Sequence, residues 1–397
     1  MTAISNTARP APAPTFFERG FRPFFLLAGL HATLWLAAWV GVLQGWLEAP
    51  EAWPPSTLHG HEMIFGFASA ALAGFLLTAV PSWTNSGPLR GWKLALLVLL
   101  WLAARVAAAA GADPRLYAAL DLAFVPALFA AVGPGIIARN LKRNGIVLVV
   151  LTAILAANAG AHLGVLGAPF VSARWGNDLG LSIFILLIAL IGGRIIPPFT
   201  MGGMRMAGHP VELAPTPWLD RAVMAATAAW AVSLALDLPE IAVGIVAAVA
   251  AFAHGARLLR WRSLATLRVP LVWVLHLGYA WLVLGLAAAA GAGLGAWPKA
   301  VALHALGAGA VATMILAVMS RASLGHTGRK LVASVPTTIA YLLVTIGAAG
   351  RVAASLIEID VAFLLPAAGL VWAAGFLIYV VVYVPVLCRP RVDGRPG

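Results

Sequence analysis

Long apolar runs alternate with short polar, basic or proline-rich segments along the chain. A helix needs about 20 mainly apolar residues to cross a bilayer. Twelve runs meet that length, at residues 23–47, 58–80, 92–111, 116–138, 146–168, 179–196, 218–237, 240–259, 270–292, 298–320, 334–356 and 361–387. The pattern predicts an all-α polytopic membrane bundle of about twelve helices. It assigns 23–387 to one transmembrane domain, between a flexible tail at 1–22 and a short tail at 388–397. The first twenty residues are rich in Pro and Ala and lack the apolar stretch and small-residue cleavage site of a signal peptide.

Runs two, six and ten point the same way and end in Leu76-Leu77-Thr78-Ala79-Val80-Pro81, Ile191-Gly192-Gly193-Arg194-Ile195-Ile196-Pro197 and Ile315-Leu316-Ala317-Val318-Met319-Ser320. His162-Leu163-Gly164 and His276-Leu277-Gly278 recur in runs five and nine. Both observations suggest a plan of three four-helix units, since internal repeats are frequent in membrane folds.

Composition agrees: 62% of the 397 residues are hydrophobic and 10% charged, against about 45–50% and about 25% in soluble domains. One cysteine excludes a disulfide framework, a thiolate-ligated iron–sulfur cluster and a zinc ribbon. The formal charge of +12 would suggest nucleic acid until it is mapped on the loops. With the N-terminus inside, 21 of the 26 basic residues fall on the cytoplasmic side, while Arg115, Arg174 and Lys299 face outward with eight acids. This is the positive-inside pattern, with both termini cytoplasmic, and nucleic acid is excluded as a partner.

Ionisable groups inside spans are costly and mark function. Nine histidines stand against two intramembrane acids, Glu62 and Asp121. Orientation places His59, His61, His162 and His304 toward the outer side, and His31, His254, His276 and His326 toward the inner. Imidazole ligates iron and copper alike, so the outer four are candidate metal ligands; the bland alternative is a helix–helix hydrogen bond. At about 100° per residue, His59 and His61 point to nearly opposite faces of one helix, which fits two centres flanking it. Gly60 between them leaves room for a flat macrocycle. Arg105 and Arg351 lie in the outer third of their spans, suited to propionate or carboxylate contacts. Glu62 and Asp121 are candidate proton carriers, or partners in a structural ion pair. Thr200-Met201-Gly202-Gly203-Met204-Arg205-Met206 offers thioethers of the kind Cu(I) accepts, or ordinary packing. The 15 Trp fit an interfacial belt.

Gly20-Phe21-Arg22-Pro23-Phe24-Phe25, His59-Gly60-His61-Glu62-Met63-Ile64-Phe65-Gly66, Gly192-Gly193-Arg194-Ile195-Ile196-Pro197 and Ser320-Arg321-Ala322-Ser323-Leu324-Gly325-His326-Thr327-Gly328-Arg329 together resemble the NnrS family, over essentially the whole chain. The resemblance implies a twelve-span bacterial inner-membrane protein with haem b and copper, associated with nitric oxide resistance and denitrification. By analogy with haem–copper oxidases, a low-spin haem, a high-spin haem and a copper need six histidines. His59, His61, His162, His276, His304 and His326 meet that number. Because His276 and His326 fall on the other side, two separate centres fit equally, one outer and one inner with His31. The expected activity is nitric oxide binding and reduction, with quinol or a periplasmic donor supplying electrons. The alternatives are a non-enzymatic haem and copper protein that binds nitric oxide or protects or delivers metal, and a secondary transporter.

Overall fold

In a bilayer, backbone amides have no water to bond, so each crossing segment must satisfy its own. The computed structural model describes residues 15–356 and 361–395, and among these it is helical with no strand. Twelve long helices run in order: α1 (Phe21–Leu43), α2 (Pro55–Thr84), α3 (Trp92–Ala109), α4 (Pro114–Arg139), α5 (Ile146–Val165), α6 (Ala173–Met206), α7 (Pro217–Ala235), α8 (Glu240–Leu259), α9 (Pro270–Gly293), α10 (Lys299–His326), α11 (Val335–Leu356) and α12 (Val361–Cys388). Among the described residues, eleven are long and apolar enough to cross a membrane; α7, with Asp220, Arg221, Thr227 and Ser233, is the twelfth helix but not one of the eleven. Arg22, at the start of α1, donates to Leu387 O at the end of α12 (2.7 Å) and to Arg389 O (2.8 Å). The start of α1 and the end of α12 therefore lie together on one face of the bundle.

Consecutive helices pack on one another, and α12 packs on α1 to close a ring. Inside it stand α2, α6 and α10, whose most apolar stretches are 78%, 61% and 67% buried. Each contains a π-helical segment: Glu62–Ala68, Ile188–Gly192 and Ala305–Val311. Each segment is followed by 14–16 residues of regular helix, Ser69–Thr84, Gly193–Met206 and Ala312–His326. The second helix of every set of four thus carries the same interruption at the same level, and the three-by-four repeat lies there. The His-Leu-Gly repeat does not follow it. His162 is near the end of α5 and His276 near the start of α9, so the two lie at opposite depths.

Several boundaries differ from expectation, and two are instructive. Helix α6 was expected to stop at 196 but runs to Met206 through Pro197 and Pro198. The prolines remove two N–H donors, yet a break in lipid would free more peptide groups than it relieved. Helix α1 stops at Leu43 rather than 47, because Gly45 takes φ +70° and the chain turns back, Trp46 N–H bonding Gly41 O at 2.8 Å. Most of the expected tail at 1–22 lies outside the described residues. The segment after α12 is docked, with Arg391 Nη1 donating to His326 O (2.6 Å) and Val392 N–H to Thr327 O (3.2 Å).

Candidate metal centre

Asp121 is the hub of a buried polar group in the half of the bundle away from the chain ends. His61 Nε2 and His162 Nε2 each lie 3.0 Å from its Oδ2, and Asn158 Nδ2 donates to the same oxygen at 2.9 Å. Arg105 donates to Asp121 Oδ1 and lies 3.0 Å from Glu62 Oε1. Glu62 also accepts from the Tyr117 hydroxyl and pairs with His31 Nε2 at 3.1 Å. His61, Glu62, Arg105, Asp121, Asn158 and His162 are all at most 5% exposed. The ligand-competent atoms of His61, Asp121 and His162 lie within 4.8 Å of one another. Trp53 lies against both imidazoles, with ring centres at 4.7 and 5.2 Å.

Local sequence makes the group possible. Asn158 and His162 are four apart on α5, and Tyr117 and Asp121 four apart on α4, so each pair shares a helix face. Gly66, inside the π segment, leaves the space. A methyl there would lie 2.7 Å from both Arg105 Nη1 and His31 Nε2.

His59 faces the other way. Its ring stacks on Trp39 at 4.7 Å, and it lies within electrostatic reach of His304 and Arg351. His304 Nδ1–H donates to Ala300 O at 2.8 Å, leaving Nε2 as its lone-pair nitrogen. His59 Nδ1 is buried and bonds no group. Arg351 donates to Ser355 (2.5 Å). The expected opposition of His59 and His61 is thus present, with a separate group on each flank of α2. The room beside Gly60 holds Asn177, whose Nδ2 would sit 3.2 Å from an added methyl and which bonds Thr57 O at 2.9 Å.

His276 and His326 join neither group. His276 is held by two hydroxyls, Thr200 Oγ1 at 2.8 Å and Ser263 Oγ at 2.9 Å, and exposed His326 lies beside Phe21. His31, expected toward the inner side, belongs to the Asp121 group through Glu62. The reason is that α2 starts at Pro55, so Glu62 sits about 10 Å into the helix at about 1.5 Å per residue. Arg105 meets two carboxylates of the chain itself. The Met-rich stretch is the end of α6; Met204 is buried and Met206 exposed, so those two thioethers do not share a face. The sequence reading missed Tyr117, Asn158 and Trp53 as members of the site. The four-residue spacings to Asp121 and His162 were the available signal for the first two.

A closed helical ring with a dry two-histidine, one-carboxylate cluster defines a polytopic membrane protein with a buried candidate metal centre. Two imidazoles and a carboxylate suit a transition metal that keeps further positions open. A family model described as NnrS protein matches residues 15–391. The chain belongs to the NnrS family. Among curated proteins it has no match.

Proposed function

We propose that this protein holds copper on His61, Asp121 and His162 and haem b on the flank of α2 that carries His59 and His304. There it binds and reduces nitric oxide as a multi-pass protein of the bacterial inner membrane. The observation that carries the reading is the convergence of two imidazole nitrogens and a carboxylate oxygen within 4.8 Å, in a site closed to water. The residues fit such groups: His61 Nδ1 is buried without a partner, as is His59 Nδ1. The bond from His304 Nδ1 fixes the tautomer a ligand needs. Arg351 is placed to meet an anionic edge such as a propionate.

When bound, the metals supply an open position for nitric oxide and a route for electrons from quinol or an outer donor. Conversion of two nitric oxide molecules to nitrous oxide and water takes two electrons and two protons. The chain's own residues then have distinct tasks. Asp121 orients both imidazoles and is itself fixed by Asn158 and Arg105. Arg105 stands between Asp121 and Glu62 and offsets their charge. Tyr117 donates its hydroxyl to Glu62 and fixes that carboxylate, with His31 on the other oxygen. Trp53 covers the imidazoles and keeps water out.

One observation favours a binding role without turnover: Asp121 is engaged by four side chains, which makes it an anchor rather than a carrier. The test is haem and metal content of purified protein, with optical spectra before and after nitric oxide and a turnover assay with quinol. His61→Ala and His304→Ala are each expected to lose a metal. Full metal content in both would remove this reading, and spectral binding without nitrous oxide would select the binding role.

A further inference from the structure

A π-helical turn leaves carbonyls without their usual backbone partners. In all three central helices a carbonyl of the π segment is met by a donor from the surrounding ring. Trp101 Nε1 of α3 donates to Gly66 O (3.2 Å), Arg257 Nη1 of α8 to Ala189 O (2.9 Å), and Trp372 Nε1 of α12 to Ala308 O (3.1 Å). The polar consequence of each interruption is therefore turned outward, away from where α2, α6 and α10 face one another.

On that inner side lies a cavity of about 90 Å³, with Ala71 and Leu72 of α2, Phe184 and Ile188 of α6, and Val311 and Met314 of α10 in its wall. Every side chain lining it is apolar. It has room for several water molecules, yet a buried water needs two to four polar partners. This pocket is half open, and its almost wholly apolar wall favours apolar guests such as xenon over water. Ala68, the last residue of the π segment that begins at Glu62, also lines it. One short stretch of α2 thus has the polar centre on one face and the cavity on another.

We propose that this cavity is a binding site for small uncharged apolar molecules of diatomic size. Resting on the function proposed above, it is the place where nitric oxide partitions from lipid and from which it crosses α2 to the His61–Asp121–His162 centre. A neutral diatomic gives up almost no hydration on entering, while ions and water are disfavoured by a wall with almost no donors or acceptors.

The test uses xenon on the purified full-length protein, located by anomalous diffraction under pressure and quantified by ¹²⁹Xe exchange. One xenon site per chain is expected between Ala71, Phe184 and Met314. Ala71→Phe and Val311→Phe should abolish it. Met314→Ala, which enlarges the space, should raise occupancy and keeps the test open if a filled variant fails to fold. In metal-loaded protein the filled variants should slow nitric oxide association at least tenfold, with metal content and the final spectrum unchanged. Absence of xenon from the cavity, or a lipid chain occupying it, overturns the site. Unchanged association in filled variants overturns the holding role. Xenon bound in a protein that takes up no metal would leave the site standing and remove only the metal reading.

Discussion

His59 and His61 are two residues apart on α2 and look in opposite directions, one stacked on Trp39 and the other 3.0 Å from Asp121. That relationship divides the half of the bundle remote from the chain ends into two sites that share a helix and no ligand. Substitutions at the two positions should therefore have separable effects. On the cofactor assignment proposed above, His59→Ala should change the haem spectrum and spare metal at Asp121, whereas His61→Ala should do the reverse. Metal analysis and optical spectra of the two variants check this.

Asp121→Asn keeps the shape of the side chain and removes its charge. Arg105 then loses one of its two anionic partners in a dry environment, where breaking a buried pair costs about 3–5 kcal/mol. The variant should denature at lower temperature in detergent and retain less than a tenth of the wild-type metal. A stable, fully metallated Asp121→Asn protein would show that the carboxylate is neither hub nor ligand.

His276 offers the contrasting case. His276→Ala leaves Ser263 Oγ without its partner, while Thr200 Oγ1 keeps its bond to Ile196 O, at a cost of about 1–3 kcal/mol. Stability should fall while haem and metal content stay at wild-type levels, as calorimetry and elemental analysis would report.

Glycine placement gives a matched pair. Gly66→Ala forces a methyl against Arg105 and His31 and should destabilise by about 1–3 kcal/mol, as overpacking does. Gly202→Ala, with nothing within 4 Å of the new methyl, should be neutral or stabilise the end of α6 by up to about 1 kcal/mol. Thermal unfolding of both variants side by side decides the point.

The docked C-terminal segment has its own pH signature. Arg391 pairs with Asp393 at 2.5 Å and holds that carboxyl down to about 2, below its ordinary value of about 3.9. A carboxyl lowered on docking contributes stability above the ordinary value and loses it as pH falls through the docked one. A spin label on Cys388, the single cysteine and exposed, should stay immobile at pH 4 and gain mobility only as pH approaches 2. Asp393→Asn, which leaves the Arg391–His326 O and Val392–Thr327 O bonds in place, should raise its mobility only slightly at neutral pH.

Much of this architecture is written in the order of apolar runs, and the opposite facing of His59 and His61 follows from helical geometry alone. Periodicity has no access to depth, however. It placed His31 on the wrong side of Glu62 because a three-residue error in the start of α2 moves the acid by most of a turn. The two prolines in α6 looked like an end because their missing donors are visible in sequence, whereas the cost of ending a helix in lipid is not. Trp101 and Trp372 read as belt residues, since nothing local reveals that their indoles bond carbonyls of π segments on other helices. The Asp121 group draws on α1, α2, α3, α4 and α5, and only the four-residue spacings within a helix leave a local trace.

The bonds from Arg22 to Leu387 and Arg389 join the start of α1 to the end of α12. Until α12 is in place, the Arg22 guanidinium lacks its acceptors and the ring has an open seam beside α1. Assembly thus has a built-in completion step, and chains halted after α11 would present that seam, with its buried cation, to quality control.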